Sequence, residues 1–416
     1  MSDPITGPWL TIIGIGEDGL DGLCAASKAA IADAETVFGG PRHLTLAGLG
    51  ADLGAHPGTL GDTRGTPWTV PFSIQPVLDK RNRKTVILAS GDPFWFGAGG
   101  SITSQLSAGE WVSYPGASIF SLIAGQMGWR IEETLCMGLH AAPFEQMVPV
   151  LAPGRKVICT LRDRQAPKHL ATWLTDSGFG ASEMTVFEAT GGPNSKQWLA
   201  RADSFDHSGI SAPVAAAITA QGAHGLPQAA GLPDDRFAND GQITKRPIRA
   251  LSLSALQPRY GDTLWDIGAG SGSISVEFLL AAPNTKATAF ETRPDRAQNI
   301  IENARKFGLS HRLETIIGTA GDEITKLIST GMAPPNTVFV GGGASAELIA
   351  LIWDVVPEGT RIVANAVTLE TESLLMQEHS DKGGDLLRVE LAEAAPLGRM
   401  RGWNRARPVI QWSVTR

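Results

Sequence analysis

Residues 264–278 read Leu-Trp-Asp-Ile-Gly-Ala-Gly-Ser-Gly-Ser-Ile-Ser-Val-Glu-Phe, and Phe290-Glu291-Thr292 ends the next apolar run. An apolar strand that breaks into alternating glycines and then resumes with helical spacing is a strand, a tight turn and a helix start. Gly268, Gly270 and Gly272 let the backbone come close to a ligand, and the helix start offers free N–H groups. Glu291, at the end of the following strand, has two oxygens that suit two ribose hydroxyls. The spacing is G-x-G-x-G, one residue short of the dinucleotide fingerprint. Asp266 sits two residues before the first glycine, where a carboxylate would repel a pyrophosphate. It suits a cationic ligand with an amino group, such as S-adenosylmethionine, and Ala269 and Ser271 complete that turn. A dinucleotide and a ligand-free turn remain the alternatives at this level.

A methyl donor raises the question of the acceptor. Enzymes that methylate amino groups of nucleic acids place Asp/Asn-Pro-Pro-Tyr/Phe after the fourth strand, whereas here the strand 337–340 is followed by Gly341-Gly342-Gly343-Ala344-Ser345. Thiol-dependent pyrimidine methylation needs a nucleophilic cysteine, and Cys24, Cys136 and Cys159 all lie in the other half. Both nucleic-acid options weaken.

Five segments together go further: ITKRPIRAL (243–251), DIGAGSGSISVEF, GTAGDEI (318–324), VFVGGGAS (338–345) and IVANAVTLET (362–371). Over about 243–416 the chain resembles the cobalamin-pathway methyltransferases that act on carbon 15 of a precorrin and decarboxylate its ring-C acetate. The resemblance implies that Thr244, Gly268 to Gly272, Glu291 and Ala320 line an S-adenosylmethionine pocket. It implies that Gly341, Gly342 and Gly343 face the macrocycle, although a triple glycine also suits a loop that only packs tightly.

In the first half, a strand runs into SGDPFWFG (90–97), followed by YPGASIFSLIAGQMG (114–128) and MGLH (137–140). This order resembles the tetrapyrrole (corrin and porphyrin) methylase family. That family's fold has two α/β lobes with S-adenosylmethionine in the cleft between them. Carried over, Gly91, Asp92, Phe94, Ser118 and Ile119 belong to the cleft. Asp92 also reads as a turn cap. Glu17 and Asp18 depart from the family's opening loop. His43, His56 and His140 are candidate proton shuttles, each also readable as a satisfied or surface histidine. The pairing of the two halves resembles the bifunctional precorrin C5,C15-methyltransferases (decarboxylating). That implies two S-adenosylmethionine sites, a tetrapyrrole substrate and no metal. A methyltransferase for RNA or another small molecule, and a non-catalytic S-adenosylmethionine-binding regulator, are the alternatives.

The elements that must position these residues are legible as alternating patterns, so both halves read as α/β. In the first, strands are expected at 9–13, 85–89 and 156–160, with helices near 26–34, up to Met127, and 166–176. In the second, helices are expected at 246–256, 273–281, 294–307, 345–353 and 368–378. Strands are expected at 263–267, 286–290, 313–317, 337–340, 360–364, 385–391 and 408–413, parallel except the last. The fold expected is a two-lobed tetrapyrrole-methylase fold over 1–222, then a Rossmann-like seven-stranded methyltransferase over 243–416. Residues 223–242, rich in Gly, Pro and Asp, read as a linker. Arg399, Arg401, Arg405 and Arg407 leave the same sheet edge as the glycine turn and are candidates for binding substrate carboxylates.

Composition sets the outer limits. The 416 residues fit two or three domains. With 35 basic and 42 acidic residues, the net charge of −7 argues against a polyanion-binding protein. Three widely spaced cysteines fit neither a disulfide framework nor a thiolate zinc site, and they suit a reducing cytoplasm. The N-terminus has no signal-peptide pattern, and the longest uncharged run, 208–233, is broken by Gly, Pro, Gln and His. A soluble cytoplasmic enzyme, homo-oligomeric and without nucleic-acid or membrane partners, is the expectation.

Overall fold

A computed structural model describes residues 7–49 and 63–416. His56 lies outside the described residues. The chain forms two compact units, Met1–Ala142 with Ala152–His224, and Pro143–Leu151 with Gly225–Arg416.

The first unit holds two five-stranded sheets. One contains β1 (Leu10–Ile15), β2 (Thr36–Gly39), β3 (Gly65–Pro67), β4 (Thr85–Ser90) and β5 (Trp111–Tyr114), in the order β3-β2-β4-β1-β5. All its pairings are parallel, with Ile15 opposite Ser90 and Ile13 opposite Tyr114. A parallel sheet is covered on both faces, which is why β1 and β4 are nearly continuous apolar runs. The other sheet contains β6 (Leu135–Gly138), β7 (Lys156–Leu161), β8 (Glu183–Glu188), β9 (Lys196–Arg201) and β10 (Val214–Thr219), in the order β6-β7-β10-β8-β9. Only β6–β7 is parallel there. The helix Ile119–Met127 packs Phe120, Ile123 and Ala124 with Ile158, Phe187 and Ala217 of this second sheet.

The second unit is one seven-stranded sheet: β11 (Thr263–Ile267), β12 (Lys286–Glu291), β13 (Leu313–Ile317), β14 (Thr337–Val340), β15 (Arg361–Ala366), β16 (Asp385–Val389) and, after a hairpin, β19 (Val409–Thr415). The hairpin is β17 (Ala392–Leu397) with β18 (Met400–Arg405), a separate two-stranded ribbon. The sheet order is β13-β12-β11-β14-β15-β19-β16. β19 runs antiparallel to both neighbours and the other strands are parallel, the expected pattern. Helices cover the sheet and create two cores. Leu253, Phe278 and Ile300 lie in one; Trp265, Ile349 and Trp412 lie in the other.

The segment 223–242 differs from a free linker. From Gly225 onward it belongs to the second unit, with Leu232 and Phe237 in its core. A buried ion pair holds it there. Arg249, fully buried, meets Glu277 at 2.6 Å and Asp234 at 3.0 Å, and it donates to the Leu232 carbonyl. Glu277 in turn accepts from the Gly231 and Leu232 amides at 2.6 and 2.9 Å. The Arg249 guanidinium also stacks 4.8 Å from the Phe237 ring.

Candidate active site

Each unit has a cleft at the carboxyl ends of its parallel strands, the position where open α/β sheets bind ligands.

In the first unit the edge is built from interlocked glycines. A Cβ on Gly14 would lie 1.7 Å from the Gly91 carbonyl oxygen and 2.4 Å from the Gly116 nitrogen. Gly91 itself has φ +53°, and its carbonyl accepts from the Gly116 amide at 2.9 Å. The ends of β1, β4 and β5 therefore approach closely only because all three residues lack a side chain. Beside them opens a cavity of about 380 Å³, within the range of small-molecule sites. Gly91, Asp92, Ser118 and Ile119 line it, as do His140, Thr160 and Phe187 from the second sheet. Asp92 also caps its own turn, accepting from the Phe94 amide at 2.9 Å. Ser118 caps the helix Ile119–Met127 through the Ser121 amide. Phe94 is not brought to the cavity. Its ring lies 5.7 Å from Trp111, and the cavity wall is formed instead by Trp95 and Phe96, which flank Phe120 at 5.0 and 5.7 Å.

Arg42 and Ser90, inconspicuous in the sequence, belong to a polar cluster on this wall. Arg42 forms an ion pair with Glu17 and donates to Ser90 Oγ at 2.9 Å and His43 Nε2 at 3.0 Å. Burial, and then the neighbouring Arg42 charge, lower His43 to a pKa of about 4. Burial alone lowers Arg42. The signal was present: Gly39-Gly40-Pro41-Arg42-His43 leaves the carboxyl end of a parallel strand, and that edge is where ligand-facing groups belong.

In the second unit the turn after β11 passes through Gly268, Gly270 and Gly272 with φ of +64°, +59° and +70°. A Cβ on Gly268 would lie 2.6 Å from the Gly342 carbonyl oxygen. The Gly341 amide donates to the Ile267 carbonyl at 2.8 Å. The glycine turn and the triple glycine therefore pack on each other, and both also line a cleft of about 980 Å³. Thr244, Ala269, Ser271, Glu291, Ala320 and Arg407 share that lining. Glu291 is 95% buried and accepts from the Gly270 amide at 2.9 Å and the Arg293 amide at 3.0 Å. Its carboxylate oxygens retain lone pairs for further donors. Asn303 steadies the turn from behind, donating to the carbonyls of Ser271 at 2.8 Å and Ala238 at 2.9 Å.

Three groups of expected residues fall elsewhere. Asp266 lies beneath the turn, 1% exposed, bonded to Ser275 Oγ at 2.6 Å and its amide at 3.2 Å. Burial pushes its carboxyl up to about 6, Ser275 opposes that rise and Glu291 adds to it. Gly272 faces Ile300, where a Cβ would lie 2.9 Å from Cγ2, so its role is packing. Arg399, Arg401 and Arg405 are exposed on the β17–β18 ribbon and do not line the cleft. The ribbon turns the chain away between β16 and β19, and Arg407, after it, is the arginine of this group on the wall.

Among the described residues no cluster of side chains could hold a metal ion. None of their helices is long and apolar enough to cross a membrane.

A family model described as tetrapyrrole (corrin/porphyrin) methylases matches residues 9–206, and one described as precorrin methyltransferase domain matches 235–416. A precorrin-6Y C(5,15)-methyltransferase (decarboxylating) from Sinorhizobium sp is 40% identical over 423 residues, covering 100% of this chain and 98% of its own. A protein of the same name from Mycobacterium tuberculosis is 34% identical over 418 residues, covering 98% of this chain and 100% of its own. A solved C-terminal domain of precorrin-6Y C5,15-methyltransferase from Rhodobacter capsulatus is 51% identical, with a TM-score of 0.43, over 46% of this chain and 100% of that one.

Proposed function

The chain belongs to the precorrin-6Y C5,15-methyltransferase (decarboxylating) family, and we propose that its two clefts divide that family's work between them. The activity is S-adenosylmethionine-dependent methylation of a precorrin at carbons 5 and 15, with decarboxylation of the ring-C acetate, in cobalamin biosynthesis. In our reading the first unit serves carbon 5 and the second serves carbon 15 and the decarboxylation, each with its own S-adenosylmethionine. The observation that carries the division is the pair of clefts, each at the carboxyl edge of its own parallel sheet and each edged by close-packed glycines.

The residues of both clefts fit the methyl donor. The positive-φ backbone at Gly270 leaves room for a ligand against the turn, since a Cβ there would meet only the Gln242 carbonyl at 3.9 Å. Glu291 offers carboxylate lone pairs for ribose hydroxyls, with Thr244 and Ala320 on the same wall. In the first cleft, Gly91, Asp92, Ser118 and Ile119 take the equivalent part. Bound there, S-adenosylmethionine supplies an electrophilic methyl on a sulfonium centre.

The meso carbons of a reduced tetrapyrrole are enamine-like and already nucleophilic. The protein's task is then mainly positioning, and holding reactants in line contributes roughly 7–11 kcal/mol. Arg407 suits a carboxylate arm of the macrocycle from the wall of the second cleft. Arg399, Arg401 and Arg405 are left for arms that extend beyond it. After methylation at carbon 15, the bond to the acetate carboxylate breaks, its electron pair enters the conjugated imine, and carbon dioxide leaves.

The test is a product analysis of the full chain with a precorrin and methyl-labelled S-adenosylmethionine. Asp92→Ala should remove the carbon 5 methyl and spare carbon 15. Glu291→Ala should impair carbon 15 methylation and carbon dioxide release together. In the same assay Arg407→Gln should raise KM for the tetrapyrrole without weakening S-adenosylmethionine. Carbon dioxide release lost with Asp92→Ala instead would reverse the division, and an unchanged KM would remove Arg407 from the substrate site.

A further inference from the structure

The polar cluster of the first cleft has more order than binding a methyl donor requires. Three neighbouring strands of one sheet deliver it. Ser90 ends β4, Arg42 and His43 open the helix that follows β2, and Glu17 leaves β1. All four line the cleft. Ser90 Oγ lies 2.8 Å from His43 Nε2, and one nitrogen of Arg42 reaches both atoms. A guanidinium only donates, so both atoms accept from it. The hydrogen of Ser90 is then directed to Nε2, and the neutral ring has its own proton on Nδ1. Burial and Arg42 hold His43 near a pKa of about 4, so the ring is unprotonated at neutral pH.

The reaction supplies a proton that must go somewhere. A meso carbon that bears hydrogen and gains a methyl holds both groups, beside an iminium whose positive charge makes that hydrogen acidic. A weak base suffices to remove it, provided that base is free when the carbon is methylated. We propose that Ser90 and His43 are the proton acceptor for the methylated carbon in the first cleft. The carbon–hydrogen bond breaks, and its electron pair returns to the macrocycle and cancels the iminium charge. Ser90 Oγ takes the proton while its own hydrogen passes to His43 Nε2. Arg42, offset by Glu17, holds both groups in place, and its charge favours release of the proton from His43 to solvent. His140, which follows β6 and pairs through Nδ1 with Thr160 Oγ1 at 3.0 Å, is the competing acceptor.

This assignment rests on the carbon 5 reading of the first cleft, and the experiment separates the two. The full chain is assayed on precorrin with hydrogen or deuterium at carbon 5, and S-adenosylmethionine binding to the first cleft reports that its unit is folded. His43→Gln should slow carbon 5 methylation about a hundredfold or more. It should leave KM for S-adenosylmethionine within about twofold, since uniform binding is untouched. Its residual rate should be slower on the deuterated substrate, because proton loss now limits turnover, and Ser90→Ala should behave alike. A purely structural role would lower the rate without any isotope effect. No isotope effect in either variant, or one in His140→Gln alone, overturns the assignment. A wild-type chain that adds no methyl at carbon 5 overturns the carbon 5 reading and this assignment with it.

Discussion

Asp266 separates what residue type reveals from what environment decides. Its place before the glycine turn was legible, but a carboxylate there reads equally as a ligand group or as an internal strut. The structure makes it internal, with Oδ2 held by Ser275 and Oδ1 buried without a partner. Folding raises its pKa from 3.8 to about 6, because burial disfavours the charge. Below the lower value both states are protonated. Between the two, the folded state binds the extra proton, so stability falls as pH rises through that window. The full difference is about 3 kcal/mol. Asp266→Asn removes this titration. Urea midpoints of the second unit, followed across about pH 4 to 7, should show the wild type losing stability relative to the variant as pH rises. A constant difference would mean that Asp266 stays ionised throughout. Glu291 and Gly268 were easier to read, because a strand end and a positive-φ turn restrict what those residue types can do. Arg42 and His43 were harder, because their meaning depends on Ser90 and Glu17, which lie far away in sequence.

Legibility of elements follows their burial. The strands at 263–267, 313–317 and 337–340 and the helices at 246–256 and 273–281 were expected with the boundaries observed, because apolar runs and helical spacing are local signals. β8 and β10 were not anticipated; β10 is half alanine and lies inside a stretch full of Gly and Pro. The β17–β18 ribbon is mostly exposed and has no apolar period to betray it. The attachment of the segment from Gly225 onward is hidden in the sequence for a similar reason. Its anchors are isolated, Leu232 and Phe237, and its clamp comes from Arg249 and Glu277 on helices further along. Removing one partner of a buried ion pair leaves the other uncompensated, at about 3–5 kcal/mol. Arg249→Ala should therefore free this segment from the second unit. Hydrogen exchange should quicken at Gly231 and Leu232, whose amides depend on Glu277. Unchanged protection at those two amides would mean that the apolar anchors alone hold the segment.

At the scale of the whole chain, two methyl transfers by one polypeptide need two donor sites or one site used twice. The two units differ in topology: one cleft lies at a β3-β2-β4-β1-β5 sheet and the other at a seven-stranded sheet ending in an antiparallel pair. Their lining groups also differ, with Gly91 and Asp92 in one and Glu291 in the other. No single substitution should therefore weaken both. Calorimetry on the intact protein should give about two S-adenosylmethionine molecules per chain, a ligand load that follows from one cleft per unit. Glu291→Ala should weaken one of the two binding events and leave the other in place. On the proposed binding mode the variant lacks carboxylate hydrogen bonds to the ribose, each contributing about 1.5–3 kcal/mol, so at least a tenfold loss is expected. It also releases the Gly270 and Arg293 amides that Glu291 holds, so the glycine turn loosens with it. Asp92→Ala should act on the other event alone. A stoichiometry near one that Glu291→Ala leaves unchanged would mean that the second cleft does not bind the donor. The first cleft would then have to serve both carbons, and the division of labour would fail at its foundation.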